Sequence, residues 1–172
     1  MTILIDTHRL IISAPESSDI DHQYRLQSDP EVMRYIGHGV RSREEVEAVL
    51  TKAIRHYHQH GFSLGSVYEK STGDFVGRAG LIYLGFNDAQ PDIEVGYALL
   101  PAYWKHGYAT ELAMACIDFG FHHATISTLY GITHPDNKAS QHVLLKAGMH
   151  YTKQGTYYGN EVCVFEVLSA FR

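Results

Sequence analysis

The hydrophobic period of this chain changes at Gly61, and that switch limits what it can fold into. Upstream, Val46, Val49, Leu50, Ala53, Ile54 and Tyr57 recur at the spacing of one helical face. Ser42 and Glu45 form an S-x-x-E capping box ahead of this run, and Gly61 can take the left-handed conformation that ends a helix. Downstream, "FSLGSVYEK" and "FVGRAGLIYLGF" alternate on either side of Ser71-Thr72-Gly73-Asp74, which predicts an antiparallel hairpin. A chain with both periods must cover a sheet with helices.

The remaining segments extend this pattern. "THRLIISAP" alternates up to Pro15 and reads as a first strand. "SSDIDHQYRLQSDPEVMRYIG" has helical spacing, with Ser17 or Ser18 as the cap, a break at Pro30 and a short turn ending at Gly37. "NDAQPDIEVGYALLP" adds a strand. "GYATELAMACIDFGFHHA" is a helix in which Ala109, Leu112, Ala113, Cys116, Ile117 and Gly120 share a face. "STLYGITHP" is a short buried strand ended by Pro135; Asn137 or Asp136 caps the next helix, whose Val143, Leu144 and Ala147 face inward before Gly148. The tail alternates twice around Gly159-Asn160, a type I′-like hairpin signal. The resulting order is strand, two or three helices, three strands, helix, strand, helix, two strands. That is a mixed α/β or α+β fold, and with no linker or repeat, residues 1–172 read as one domain.

Composition narrows the function. At 172 residues and 45% apolar, the chain can bury a core without staples. Fourteen Lys and Arg against nineteen Asp and Glu give a formal charge of −5, which opposes nucleic-acid binding. No apolar run reaches membrane-spanning length, and Asp6 and Arg9 interrupt the N-terminal segment with no basic leader or cleavage site, so a cytoplasmic protein is expected. Cys116 and Cys163 lack C-x-x-C spacing and read as buried thiols. His56 and His60 have the spacing of two metal ligands on a helix, but no acidic third ligand joins them; solvated surface histidines are expected, and no metal.

One segment carries chemistry. In "YWKHGYATE", Tyr103–Glu111, a helix starting at Gly107 would present amides without partners, which together with the helix dipole make an anion site. Glycine admits a ligand close to the backbone, and the alternative role for it is tight packing on a neighbouring strand. The GK[ST] of a P-loop and the third small residue of a dinucleotide fingerprint are both missing.

"IEVGYALLPAYWKHGYATELA", followed by "THPDNKASQHVLLKAGM", resembles the GNAT superfamily of acyl-CoA-dependent N-acetyltransferases. Within it the chain is most similar to the branch containing ribosomal-protein N-terminal alanine acetyltransferases. The similarity runs from "THRLIISAP" to "GTYYGNEVCVFEV". It implies a GNAT-like α+β domain with a central, mostly antiparallel sheet of about seven strands flanked by helices. It also implies that acetyl-CoA is the cosubstrate, with its pyrophosphate held by the main chain of Lys105, His106, Gly107, Tyr108, Ala109 and Thr110. Trp104 stands where a Gln or Arg opens the superfamily loop. Tyr97, Ala98 and Leu99 match the strand that pairs with the pantetheine arm as if it were another strand. Asn137 matches an asparagine near the pantetheine, and it can cap its helix at the same time.

The resemblance further implies direct attack by an amine in a ternary complex, without an acyl-enzyme, so Cys116 takes no part. Glu94 matches the base, acting through water; its alternative is a solvent-facing strand carboxylate. The acid in many members is a tyrosine, but that position is Leu144 here. In the ribosomal-protein branch the role goes to a serine matching Ser140, either as acid or only as a hydrogen bond to sulfur. The oxyanion donor is expected near Ala98 or Leu99. An acceptor groove would lie between the helices before Gly61 and the Tyr157-Tyr158 hairpin, lined by Tyr35, Tyr83, Tyr157 and Tyr158. The expected activity is transfer of an acetyl group to a primary amine of a protein N-terminus or a small molecule. The loss at Leu144 keeps a second reading open, a noncatalytic acyl-CoA sensor or interaction module. Tyrosine-rich terminal strands also leave pairing into a homodimer open.

Overall fold

Gly61, at φ 76°, closes an eighteen-residue helix and turns the chain into the sheet. The computed structural model describes residues 1–169. Eight strands form one sheet: β1 (Ile3–Asp6), β2 (Leu10–Ser13), β3 (Leu64–Glu69), β4 (Phe75–Tyr83), β5 (Ile93–Leu99), β6 (Thr128–Thr133), β7 (His150–Tyr157) and β8 (Asn160–Leu168). Their spatial order is β1-β2-β3-β4-β5-β6-β8-β7. All neighbours are antiparallel except β5 and β6. This is the mostly antiparallel α+β sheet expected, with β1 added at one edge.

Five helices flank the sheet: α1 (Ile20–Gln27), α2 (Pro30–Met33), α3 (Arg43–His60), α4 (Tyr108–His122) and α5 (Lys138–Lys146). The Ser42–Glu45 capping box is present on α3, and Asn137 Oδ1 accepts the Ser140 amide at the start of α5. Neither Ser17 nor Ser18 is a cap. Glu16 and Asp19 close a box of carboxylates around a 3-10 turn that leads into α1. Pro30 opens α2 as well as breaking α1, because Asp29 accepts from the amides of Glu31 and Val32.

The helices sort onto the two faces by burial. Leu112, Ala113, Cys116 and Ile117 of α4 pack with Leu81, Val95, Leu99 and Leu129 in the larger core. A Cβ on Gly120 would stand 2.8 Å from Leu129 Cδ1, so glycine there sets how closely α4 approaches the sheet. Truncating Leu112, wholly buried in this core, would cost about 2–5 kcal/mol. On the opposite face, Leu26, Val32 and Met33 of α1 and α2 pack with Phe75, Ala98 and Leu100.

Two further local expectations fail. His56 is buried, 4% exposed. Its Nδ1 donates to Phe62 O at 2.7 Å and its Nε2 accepts from the Tyr83 amide at 3.1 Å, so it pins the end of α3 to β4. Burial lowers its pKa and keeps it neutral. The tail hairpin turns at Tyr158-Gly159, one residue earlier than Gly159-Asn160, with both at positive φ (54° and 74°). Asn160 instead pairs with Tyr157 in the ladder. Among the described residues no helix is long and apolar enough to cross a membrane, and no group of three His, Cys, Asp or Glu side chains could hold a metal ion.

Candidate active site

The site starts from a gap in the sheet. β5 and β6 pair at a single position, Glu94 opposite Tyr130, and then separate. On the other side of β5 the ladder continues: Arg78 stands opposite Ala98, and the Leu100 amide donates to Val76 O at 2.9 Å. Strand alternation therefore commits the main chain of Glu94, Gly96 and Ala98 to β4 and turns that of Tyr97 and Leu99 toward the gap. Of the three strand residues the sequence singles out, Ala98 lies in the ladder. Leu99 O accepts from Trp104 Nε1 at 2.8 Å, so the residue that departs from the superfamily loop pattern ties the loop to the strand.

α4 begins at the wide end of this gap. Its N-cap is Gly107, at φ 78°, and no side chain caps it; the first helical bond runs from the Glu111 amide to Gly107 O. Asp29, Ser42 and Asn137 cap their own helices. Tyr108, Ala109 and Thr110 thus begin α4 with amides that have no turn before them to bond. Lys105 also has positive φ (64°), which folds the loop back over the helix end. The loop is held from behind. Arg9 Nη1 donates to His106 O at 2.9 Å, its guanidinium lies 4.5 Å from the Tyr108 ring centre, and its Nε meets Glu111 at 2.7 Å. Glu111 also accepts from the Thr7 hydroxyl and the Arg9 amide, and the Tyr108 hydroxyl donates to Glu69. Side chains of the loop therefore brace it while its amides stay clear.

Glu94 is half-buried on the α1–α3 face of the sheet, at the point where the gap opens. Burial raises its carboxyl to about 7, although a 2.8 Å hydrogen bond from the Tyr158 hydroxyl and the charge of Arg78 both pull it down. The Tyr158 hydroxyl in turn accepts from the Gly85 amide at 2.8 Å, and burial beside Glu94 holds its own pKa well above the usual phenol range. On the gap side, the Tyr97 hydroxyl lies 2.8 Å from Ser140 Oγ. Burial pushes this phenol up as well, partly offset by Ser140. Asn137 does cap α5, and in doing so it positions Ser140. Leu144 is a core residue: it fills the space over Gly131, where a Cβ would stand 2.7 Å from it.

Glu94, Tyr97, Ser140, Asn137, Leu144 and Tyr158 line one cleft of about 790 Å³, within the usual range for a small-molecule site; of the loop into α4, Trp104 and Ala109 line it, while Lys105, His106, Gly107, Tyr108 and Thr110 lie outside its lining. Its walls include Arg41, Arg78, Glu94, Tyr97, Trp104, Ala109, Asn137, Ser140 and Tyr158. Tyr35 and Tyr157 line it as expected. Tyr83 does not; its ring packs against His60, 4.8 Å between centres.

A family model for an acetyltransferase (GNAT) domain matches residues 9–150. The chain belongs to the GNAT acetyltransferase family. It is similar to YkkB of Bacillus subtilis, 33% identical over 141 residues, covering 82% of this chain and 81% of that one. A crystal structure of a GNAT-family acetyltransferase from Bacillus anthracis superposes with TM-score 0.79 at 25% identity, over 95% of this chain and 97% of that one. RimL, a ribosomal L7/L12 α-N-protein acetyltransferase solved in complex with coenzyme A, matches with TM-score 0.79 over 98% of both chains; at 15% identity this is a likeness of fold.

GNAT acetyltransferases use acetyl-CoA, and the donor set here suits that molecule. An uncapped helix end with amides clear of side chains fits a pyrophosphate, and an unpaired strand edge fits the amides of a pantetheine arm. The cleft residues that escape the motif reading of this GNAT chain include the Tyr97 side chain, Arg41 and Arg78. Of these, Arg78 leaves a sequence signal, a lone charge between glycines inside the otherwise apolar "VGRAGLI".

Proposed function

We propose that this protein moves the acetyl group of acetyl-CoA to a primary amine by direct attack, with Glu94 as the base. The observation that carries the proposal is the half-buried Glu94 carboxyl, raised to about 7 where the β5–β6 gap opens. An alkylammonium has a pKa near ~10 and must lose a proton before it can attack. A carboxylate poised near neutrality can take that proton, directly or through a water, and remain ionised part of the time at working pH.

Acetyl-CoA supplies an acyl carbon already activated as a thioester. The amides of Tyr108, Ala109 and Thr110 would hold the pyrophosphate, with Lys105, His106 and Gly107 shaping the loop. The gap-facing main chain of Tyr97 and Leu99 would hold the pantetheine arm and offer an N–H to the oxygen that becomes anionic. As the N–C bond forms and the C–S bond breaks, Glu94 keeps the amine proton. Ser140 Oγ, hydrogen-bonded to Tyr97, gives its proton to the departing sulfur and is reprotonated by the second proton that the nitrogen sheds as it becomes an amide. The paired phenol makes up for the leucine at position 144.

The test is release of free thiol from acetyl-CoA with a panel of small amines and N-terminal peptides. Turnover in the wild type, falling at least about a hundredfold in Glu94→Gln with coenzyme affinity retained, supports the proposal. Tight coenzyme binding with no turnover on any acceptor replaces it with the sensor reading.

A further inference from the structure

Two arginines stand in the cleft without a hydrogen-bonded carboxylate, although the charge of Glu45 attracts Arg41 at longer range. Arg78 is on β4, opposite Ala98, and Glu94 is opposite Ile82, so cross-strand pairing puts Arg78 and Glu94 on the same face. Between these two pairs lies Gly80 opposite Gly96, which has no side chains, and the space is roofed by Leu64, whose Cδ2 comes within 2.9 Å of where a Cβ on Gly96 would stand. Among the described residues the Arg78 guanidinium makes no hydrogen bond or ion pair; it feels the attraction of Glu94 and the repulsion of Arg41 only at longer range. Arg41 is fixed by a buried polar relay: its Nη1 donates to Gln27 Oε1, Gln27 Nε2 to Gln23 Oε1, and Gln23 Nε2 to Ser66 Oγ. Gln23, Gln27 and Ser66 are 5%, 1% and 0% exposed. Ser66 itself stands opposite Arg78.

Burying two like charges close together is unfavourable unless something compensates them, and it lowers the pKa of Arg78 to about 10. The chain carries a net charge of −5, yet the cleft is lined by Arg34, Arg41, Lys52 and Arg78 against Glu31 and Glu94. A purely cationic acceptor such as a polyamine would meet repulsion there. We propose that the acceptor is an amine that also bears a carboxylate, with Arg78 and Arg41 binding the carboxylate while the amine faces Glu94. The apolar surface of Leu64 over Gly96, with Val49 and Phe86 also on the cleft wall, suits a hydrocarbon spacer. The amine half of this assignment rests on the acetyltransferase reading; the anion half does not.

Binding of product-like probes separates the two. N-acetylated amino acids of increasing chain length, N-acetylated acidic dipeptides, and the carboxamide of each are titrated calorimetrically into the protein saturated with coenzyme A. At least one acid is expected to bind about tenfold or more tightly than its amide. That preference should vanish in Arg78→Met, which keeps the aliphatic packing, and shrink in Arg41→Gln, with a cooperative melting transition showing that both variants fold. Tightest binding by free-length acids assigns a small molecule, and by dipeptides an acidic peptide end. Equal binding of every acid and amide, no binding of any, or a preference that survives both substitutions overturns the proposal. Failure of the acetyltransferase reading shows up separately, as absence of thiol release with an intact acid-over-amide preference.

Discussion

The Tyr158 hydroxyl donates to Glu94 Oε2 over 2.8 Å from a residue whose backbone is in the left-handed region, at φ 54°. A tyrosine in that conformation is strained, by roughly 1–3 kcal/mol, and the turn that imposes it also carries the ring to Glu94. The strain and the hydrogen bond fall on the same residue, at the carboxylate assigned as the base.

Tyr158→Phe removes a hydrogen bond that favours the ionised form of Glu94, so the carboxyl pKa moves further up from about 7. Activity through an ionised base rises as pH passes its pKa. The acidic limb of the kcat/KM profile should therefore shift to higher pH, with a larger loss near ~6 than near ~8.5. An acidic limb that stays in place would detach Tyr158 from the base.

Glu94→Gln has an opposite signature in stability. The folded-state pKa is raised from 4.5 to about 7, so the folded protein holds a proton that the unfolded chain has released. This carboxyl thus costs no stability below about 4.5, and its cost grows as pH rises through about 7. The variant should match wild type in acid and melt higher above neutrality, while turning over far more slowly. Melting curves across that pH range check it.

Gly107→Ala and Gly107→Glu should separate conformation from access. Any side chain at φ 78° is strained by about 1 kcal/mol, but a Cβ meets nothing closer than Arg9 Nη2 at 3.5 Å, an ordinary contact. Alanine is expected to lower the melting temperature slightly and leave coenzyme affinity nearly intact. Glutamate leaves on the Arg9 side of the loop, where it competes with Glu111 for that guanidinium and adds a negative charge at the helix start, so it should weaken coenzyme binding by calorimetry more than alanine does.

Ser140→Ala and Tyr97→Phe are coupled by the 2.8 Å contact between their hydroxyls. If they deliver one proton as a unit, each single change lowers kcat by about tenfold or more and the double mutant is scarcely slower than either. Fully additive losses would make them independent.

The parts of this fold that the sequence reveals are those set by neighbours in the chain. Ser42 with Glu45, Gly61, Asn137 and Gly148 are local signals, and each ends or begins a helix as expected. β1 is not legible, because it is a four-residue edge strand with Ile3 half exposed, and its partner strand is what defines it. His56 is polar by type, and only Phe62 O and the Tyr83 amide make its burial affordable. In the site, the loop at Gly107 and the position of Glu94 follow from motif and alternation. The Arg78–Glu94 relationship and the Tyr97–Ser140 contact depend on strand register and on α5 docking, which no window of sequence contains.

The parting of β5 and β6 after Glu94 and Tyr130 divides the molecule into two leaves, five strands on one side and three on the other. Near the mouth of the opening they are joined less by their own ladder than by whatever lies between them. A guest that bonds the Tyr97 and Leu99 main chain acts as mortar at that seam, so the loaded protein should be the stiffer one, with slow amide exchange spreading outward from the seam. On the proposed reading, α4 holds the two leaves together from one face and the carrier would complete the join from within.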